Sequence, residues 1–137
     1  MSIAMLIPFL RSYFFRFVTV AYSSNKAAYS TDGSTWTAAT LPSSASWYAV
    51  TYGGGRFVTV AYSSNKAAYS TDGSTWTAAT LPSSTNWYAV TYGNGRFVAV
   101  AYDSDKAAYS TDGSTWTAAT LPSSAKWQSV TSSGWAE

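Results

Sequence analysis

Cysteine and histidine are both absent from this 137-residue chain, and charged residues make up only 10% of it. Without cysteine there is no disulfide framework and no thiolate metal site, and the redox compartment stays open. Without histidine the usual general base, the usual metal ligand and any Ser-His-Asp or Cys-His arrangement are gone. The carboxylates are Asp32, Asp72, Asp103, Asp105, Asp112 and Glu137. Three of them sit in one repeated turn, which is not the pairing that acid–base chemistry needs. The expectation is a protein with no enzymatic activity, no cofactor and no metal. Eight basic residues against six acidic ones leave a net charge of +2. With no basic cluster to neutralise phosphates, a nucleic-acid partner is not expected. The apolar run at 3–10 is shorter than the roughly twenty residues that span a bilayer. It also lacks the basic start and cleavage site of a secretory signal. No compartment follows from these features.

Aromatic bulk is what the chain has, at 18%. That balance opposes disorder, and the length fits one domain with a usable core. The stretch YSTDGSTWTAATLPSS begins at Tyr29, Tyr69 and Tyr109, identical each time. Residues 1–15 form an unmatched apolar segment, while 16–137 read as three forty-residue repeats with a spare C-terminal strand.

One repeat divides at its turn residues into four short strands. WYAVTY (47–52, strand a) stops at Gly53-Gly54-Gly55, and RFVTVAY (56–62, strand b) stops at Ser63-Ser64-Asn65. KAAYS (66–70, strand c) runs into Asp72-Gly73, and TWTAAT (75–80, strand d) ends at Leu81-Pro82-Ser83-Ser84. Neither face of strand b is polar, as expected of a sheet stacked between two neighbours. A period near forty with four strands predicts an all-β propeller of four-stranded antiparallel blades. A β-sandwich of duplicated hairpins is the alternative.

STDGSTW (30–36, 70–76 and 110–116) resembles the Asp-box turn of sialidase-type β-propellers, Ser-x-Asp-x-Gly-x-Thr-Trp, with one residue fewer between Asp and Trp. YGNGRFVAVAY (92–102) is similar to blade repeats of bacterial and phage surface proteins. The resemblance covers residues 16–131 and implies a turn between the third and fourth strands of each blade. Structural roles then fall to Asp32, Gly33 and Trp36, to Asp72, Gly73 and Trp76, and to Asp112, Gly113 and Trp116. Sialidase chemistry needs an arginine cluster, a tyrosine nucleophile with an acid partner, and an acid/base aspartate. Arg16, Arg56 and Arg96 instead recur at the start of strand b, a structural position.

The strands run bcd, abcd, abcd, a: three blades' worth, with the first blade lacking strand a and a spare one at 127–131. Three blades are too few to close a ring. A homodimer of six blades, each spare strand completing the other chain's first blade, is the favoured resolution, and a trimer of nine is the alternative. The segment 7–12, where the missing strand a belongs, matches no other copy, and Pro8 cannot donate in a ladder. It reads as foreign sequence, as an apolar hook, or as a competitor for the spare strand's place.

The b–c turn and the d–a link share one end of each blade. Candidate ligand-binding residues there are Trp47, Tyr48, Asn65, Lys66, Asn86, Trp87 and Tyr88, with the tryptophans and tyrosines as sugar platforms or as blade packing. The functional expectation is a non-enzymatic oligomeric binding module with repeated shallow sites for glycans or a partner protein. The alternative is a recently amplified or engineered propeller fragment whose main property is self-assembly.

Overall fold

The computed structural model describes residues 15–133. Within them lie nine strands and no helix: β1 (Phe17–Val20), β2 (Ser24–Ser30), β3 (Thr37–Gly53), β4 (Arg56–Tyr62), β5 (Ser64–Ser70), β6 (Thr77–Thr85), β7 (Trp87–Gly93), β8 (Arg96–Ser110) and β9 (Thr117–Lys126). Every ladder between them is antiparallel.

The strands group into three units, one per repeat. β1, β2 and the first half of β3 form the first unit. The second half of β3, with β4, β5 and β6, forms the second. β7, β8 and β9 form the third. Strand a of the second unit (in β3) lies beside strand a of the third (β7), whereas the outer d strands β6 and β9 barely touch. The units therefore converge at strand a, as blades do around an axis.

The repeat sequence explains each element. Gly54-Gly55 and Asn94-Gly95 carry φ of 56°, 82°, 50° and 76°, so two consecutive residues sit in the left-handed region that a tight hairpin of this hand requires. Glycine and asparagine are the residues that reach it cheaply. The b–c connection is tighter still, with single residues Ser23, Ser63 and Asp103 at φ of 57–58°. In the third unit strands b and c form one continuous element, β8.

Two strand boundaries differ from the sequence reading. The Leu-Pro-Ser-Ser stretch stays inside β3, β6 and β9 and does not end strand d. Strand d is an edge strand, so the missing N–H of Pro42 or Pro82 leaves no central ladder broken. The register accommodates it by a bulge, with Lys26 opposite Thr40 but Ser24 opposite Ala45. The second difference is that residues 127–131 are not a strand. Their position still follows the repeat: Ser132 packs on Gly93 as Tyr92 packs on Gly53. A β-strand is defined by its ladder, and among the described residues no strand pairs with 127–131.

The core lies between the units. One cluster joins Ala27 and Leu41 of the first to Trp47, Phe57, Ala61, Ala68 and Trp76 of the second. The other joins Val58, Val60, Ala67 and Leu81 of the second to Trp87, Val90, Phe97 and Trp116 of the third. Residues 57–61 of β4 are all buried, so both faces of the middle sheet are covered. Burying two faces per sheet is what fixes the stack.

Candidate functional site: a tyrosine-lined end

The Asp-Gly turn is a closed hydrogen-bond unit at the end opposite the b–c turns. In the middle repeat Asp72 Oδ1 accepts from Ser74 N at 2.8 Å, Thr75 N at 3.0 Å and Ser70 Oγ at 3.0 Å. Gly73 N donates to Ser70 Oγ at 2.8 Å, and Trp76 Nε1 donates to the Gly73 carbonyl at 3.1 Å. The same bonds recur around Asp32 and Asp112. The backbone N–H of Thr35, Thr75 or Thr115, then that of the preceding serine, holds each aspartate below its ordinary value of 3.8. Each Oδ1 accepts from its own loop, so it shapes the turn.

At the other end, five tyrosines form one patch. Tyr48 lies 5.2 Å from Tyr62 and Tyr88 lies 5.0 Å from Tyr102, ring centroid to centroid, both pairs stacked. Tyr48 and Tyr88 meet at 4.6 Å across the unit boundary, and Tyr22 extends the row to Tyr48 at 5.4 Å. Local backbone geometry directs the strand-a members. The register skips at Tyr48, between the pairs Trp47–Ala61 and Ala49–Val60, and again at Tyr88. A β-bulge of this kind re-aims the side chain of its extra residue. Hydrogen bonding with Tyr88, then partial desolvation, raises the Tyr48 phenol above its ordinary value of 10.0. At the edge of the patch Lys126 bonds Asp103 at 3.6 Å and lies 5.5 Å over the Tyr102 ring.

The sequence-derived candidates divide into three groups. Trp47 and Trp87 are 2% and 1% exposed, and their indole N–H groups donate to the Ser43 and Ser83 carbonyls. They are blade packing and offer no platform, which corrects the sugar-platform reading for both. Asn65 and Lys66 line a cleft of about 280 Å³ between the first two units, with Pro42, Ser43 and Thr80. Lys66 Nζ donates to Ser43 Oγ at 3.2 Å there. Asn86 joins the d–a link to the b–c turn, its Oδ1 accepting from Ser63 Oγ at 3.2 Å. Only Tyr48 and Tyr88 stand in the aromatic patch. Sequence reasoning missed Tyr22, Tyr62 and Tyr102, although each ends strand b beside the b–c turn and so belongs to the same end.

No family model matches the chain, and no curated protein matches it. Solved structures do. A streptogramin B lyase is 16% identical with a TM-score of 0.73, covering 85% of this chain and 41% of its own. The virginiamycin B lyase from Staphylococcus aureus is 16% identical with a TM-score of 0.73, covering 87% and 46%. YCF48 bound to D1 peptide is 13% identical with a TM-score of 0.51, covering 73% and 34%. The chain thus spans less than half the length of each. The first two are enzymes, so the expectation of a protein with no enzymatic activity, drawn from its lack of histidine and of paired acids, is corrected: the fold is one that carries a lyase. At these identities the likeness concerns the fold alone, and it shows an all-β, propeller-like protein.

Proposed function

We propose that this chain is half of a ring-shaped glycan-binding module: two copies supply six blades, and the tyrosine patch at one mouth of the ring is the binding surface. The observation that carries the reading is the convergence of Tyr22, Tyr48, Tyr62, Tyr88 and Tyr102 from three repeats onto one end. Ring faces with hydroxyl edges suit the C–H faces and hydroxyls of a sugar, and five rings without charge of their own suit a neutral one. A second set of rings from the other copy adds avidity through effective concentration. The repeated Asp-Gly turns support the sialidase-type reading of the blade, as a structural device.

The test is titration of neutral oligosaccharides, chosen from a glycan array, against the intact chain and the double variant Tyr48→Gln/Tyr88→Gln. Glutamine is the residue that the repeat itself places at the corresponding position, Gln128. Binding by the intact chain that falls at least tenfold in the variant, at unchanged solution mass, is the expected result. Binding that survives the substitutions sinks the tyrosine assignment. An array with no hit favours the reading of an amplified fragment without a ligand, which the identical sixteen-residue copies support.

A further inference from the structure

The two junctions inside the chain define what a third must look like. At the first, Arg16 Nη1 donates to the Asp72 carbonyl at 2.6 Å, and Thr40 forms a parallel bridge with Thr75. At the second, Arg56 Nη1 donates to the Asp112 carbonyl at 2.5 Å, and Thr80 bridges Thr115. A cleft runs beside each, about 280 Å³ and 240 Å³, walled on one side by Pro42-Ser43 or Pro82-Ser83 of the preceding repeat.

Both ends of the stack carry half of this pattern. At the start, Phe17 is 46% exposed where Phe57 and Phe97 are 6% and 1%. Trp36 is 44% exposed where Trp76 and Trp116 are 9%. The corresponding cleft, lined by Asn25, Lys26, Trp36 and Thr40, is open to about 580 Å³. Among the described residues its Pro-Ser wall is missing and β1 pairs with β2 alone. At the other end, Ser123 is exposed where Ser43 and Ser83 are half-buried, Leu121 is half-buried where Leu41 and Leu81 are buried, and residues 127–131 have no ladder. Among the described residues Arg96 has its Tyr109 ring contact but no carbonyl acceptor.

We infer that the open cleft of the first repeat is the docking site for residues 121–131 of a second copy, which make the site complete. In this junction Ser123 of the second copy faces Lys26 as Ser43 faces Lys66. Residues 127–131 of the second copy pair with β1, Arg96 of the second copy donates to the Asp32 carbonyl, and Thr120 of the second copy bridges Thr35. The occupant follows from the repeat: the missing wall is a Pro-Ser pair after a Thr-Leu step, and the chain holds one unused copy of it. Such a contact joins unlike surfaces, so it closes only if the two copies return to the start, and strand addition to β1 supplies main-chain hydrogen bonds. This inference rests on the ring reading above and adds the contact that makes it.

The chain contains no cysteine, so a disulfide reports the contact directly. Neighbouring strands lie roughly 4.7–4.9 Å apart, so residues in a parallel bridge fall within the Cα range that a disulfide accepts. The variant Thr35→Cys/Thr120→Cys, oxidised in solution, is expected to run as a covalent dimer on a non-reducing gel. Thr40→Cys/Thr75→Cys, whose bridge lies within one chain, is expected to cross-link inside the monomer. Light scattering on the unsubstituted chain separates the two levels of the argument. A dimer whose Thr35/Thr120 variant does not cross-link overturns the docking contact and leaves the ring. A covalent ladder beyond the dimer keeps the contact and overturns the two-copy ring. A monomeric unsubstituted chain with no cross-link overturns both.

Discussion

Arg56 reaches across a blade junction to the Asp112 carbonyl at 2.5 Å while its guanidinium carbon lies 4.6 Å over the Tyr69 ring. One side chain thus ties the start of strand b to the turn of the next repeat, and Arg16 does the same with Asp72 and Tyr29. The bond is charge-assisted but half-exposed, which places its worth toward the low end for such contacts. Arg56→Ala is expected to lower stability by about 1–2 kcal/mol, read as a lower melting temperature by calorimetry. Arg96→Ala is expected to leave the unfolding of the isolated chain nearly unchanged and to weaken self-association.

Gly73 provides a sharper probe of the same junction. Its φ is 80°, and a Cβ there would lie 2.7 Å from Val18 Cγ2 of the preceding repeat. Gly33 has nearly the same φ, 79°, but its nearest neighbour would be Phe17 Cε2 at 3.8 Å. Gly33→Ala therefore costs about 1 kcal/mol for the backbone alone. Gly73→Ala adds an overlap and is expected to cost about 2–4 kcal/mol. Equal denaturant midpoints for the two variants would refute the packing described between the first two repeats.

Acid is expected to loosen the turns. Asp32, Asp72 and Asp112 are all held below 3.8 by backbone N–H donors. A depressed folded value means that the stabilisation is complete above the ordinary carboxylate value and disappears as pH falls through the lower, folded one. Melting temperature should thus decline from about pH 4 downward. Asp72→Asn keeps a side-chain oxygen acceptor and removes one titration, so its decline should be shallower. A melting temperature indifferent to pH between 2 and 5 contradicts this account.

Trp36 and Trp76 occupy the same place in the repeat and make the same bond to a glycine carbonyl, at 3.1 Å in both. Among the described residues only Trp76 has a preceding blade to cover it. Trp76→Ala is expected to cost about 3–5 kcal/mol, as for a large buried aromatic. Trp36→Ala should cost the isolated chain much less and should lower its tendency to self-associate, measured by sedimentation.

Much of the architecture was legible because the repeat states it three times. The tight a–b turns follow from Gly54-Gly55 and Asn94-Gly95, and the doubly buried strand b from Phe57 to Ala61. The Leu-Pro-Ser-Ser stretch misled the reading, since proline breaks a central strand but is tolerated on an edge, and edge position is a tertiary fact. The site was less legible. Trp47 and Tyr48 are adjacent aromatics of similar promise in the sequence, yet one is buried and the other lies in the exposed patch. The bulge at Tyr48 separates them, and a bulge depends on the partner strand.

Period, strands and turns could be read from the residues alone, because these rest on local backbone preference and on alternation along a few residues. Which aromatics pack and which face solvent was decided only by tertiary structure. Phe17 and Phe57 occupy identical surroundings in the sequence from residue 16 onward, and so do Trp36 and Trp76. Their burial differs because burial is a property of what stacks against a side chain, and the first repeat has no repeat before it within this chain.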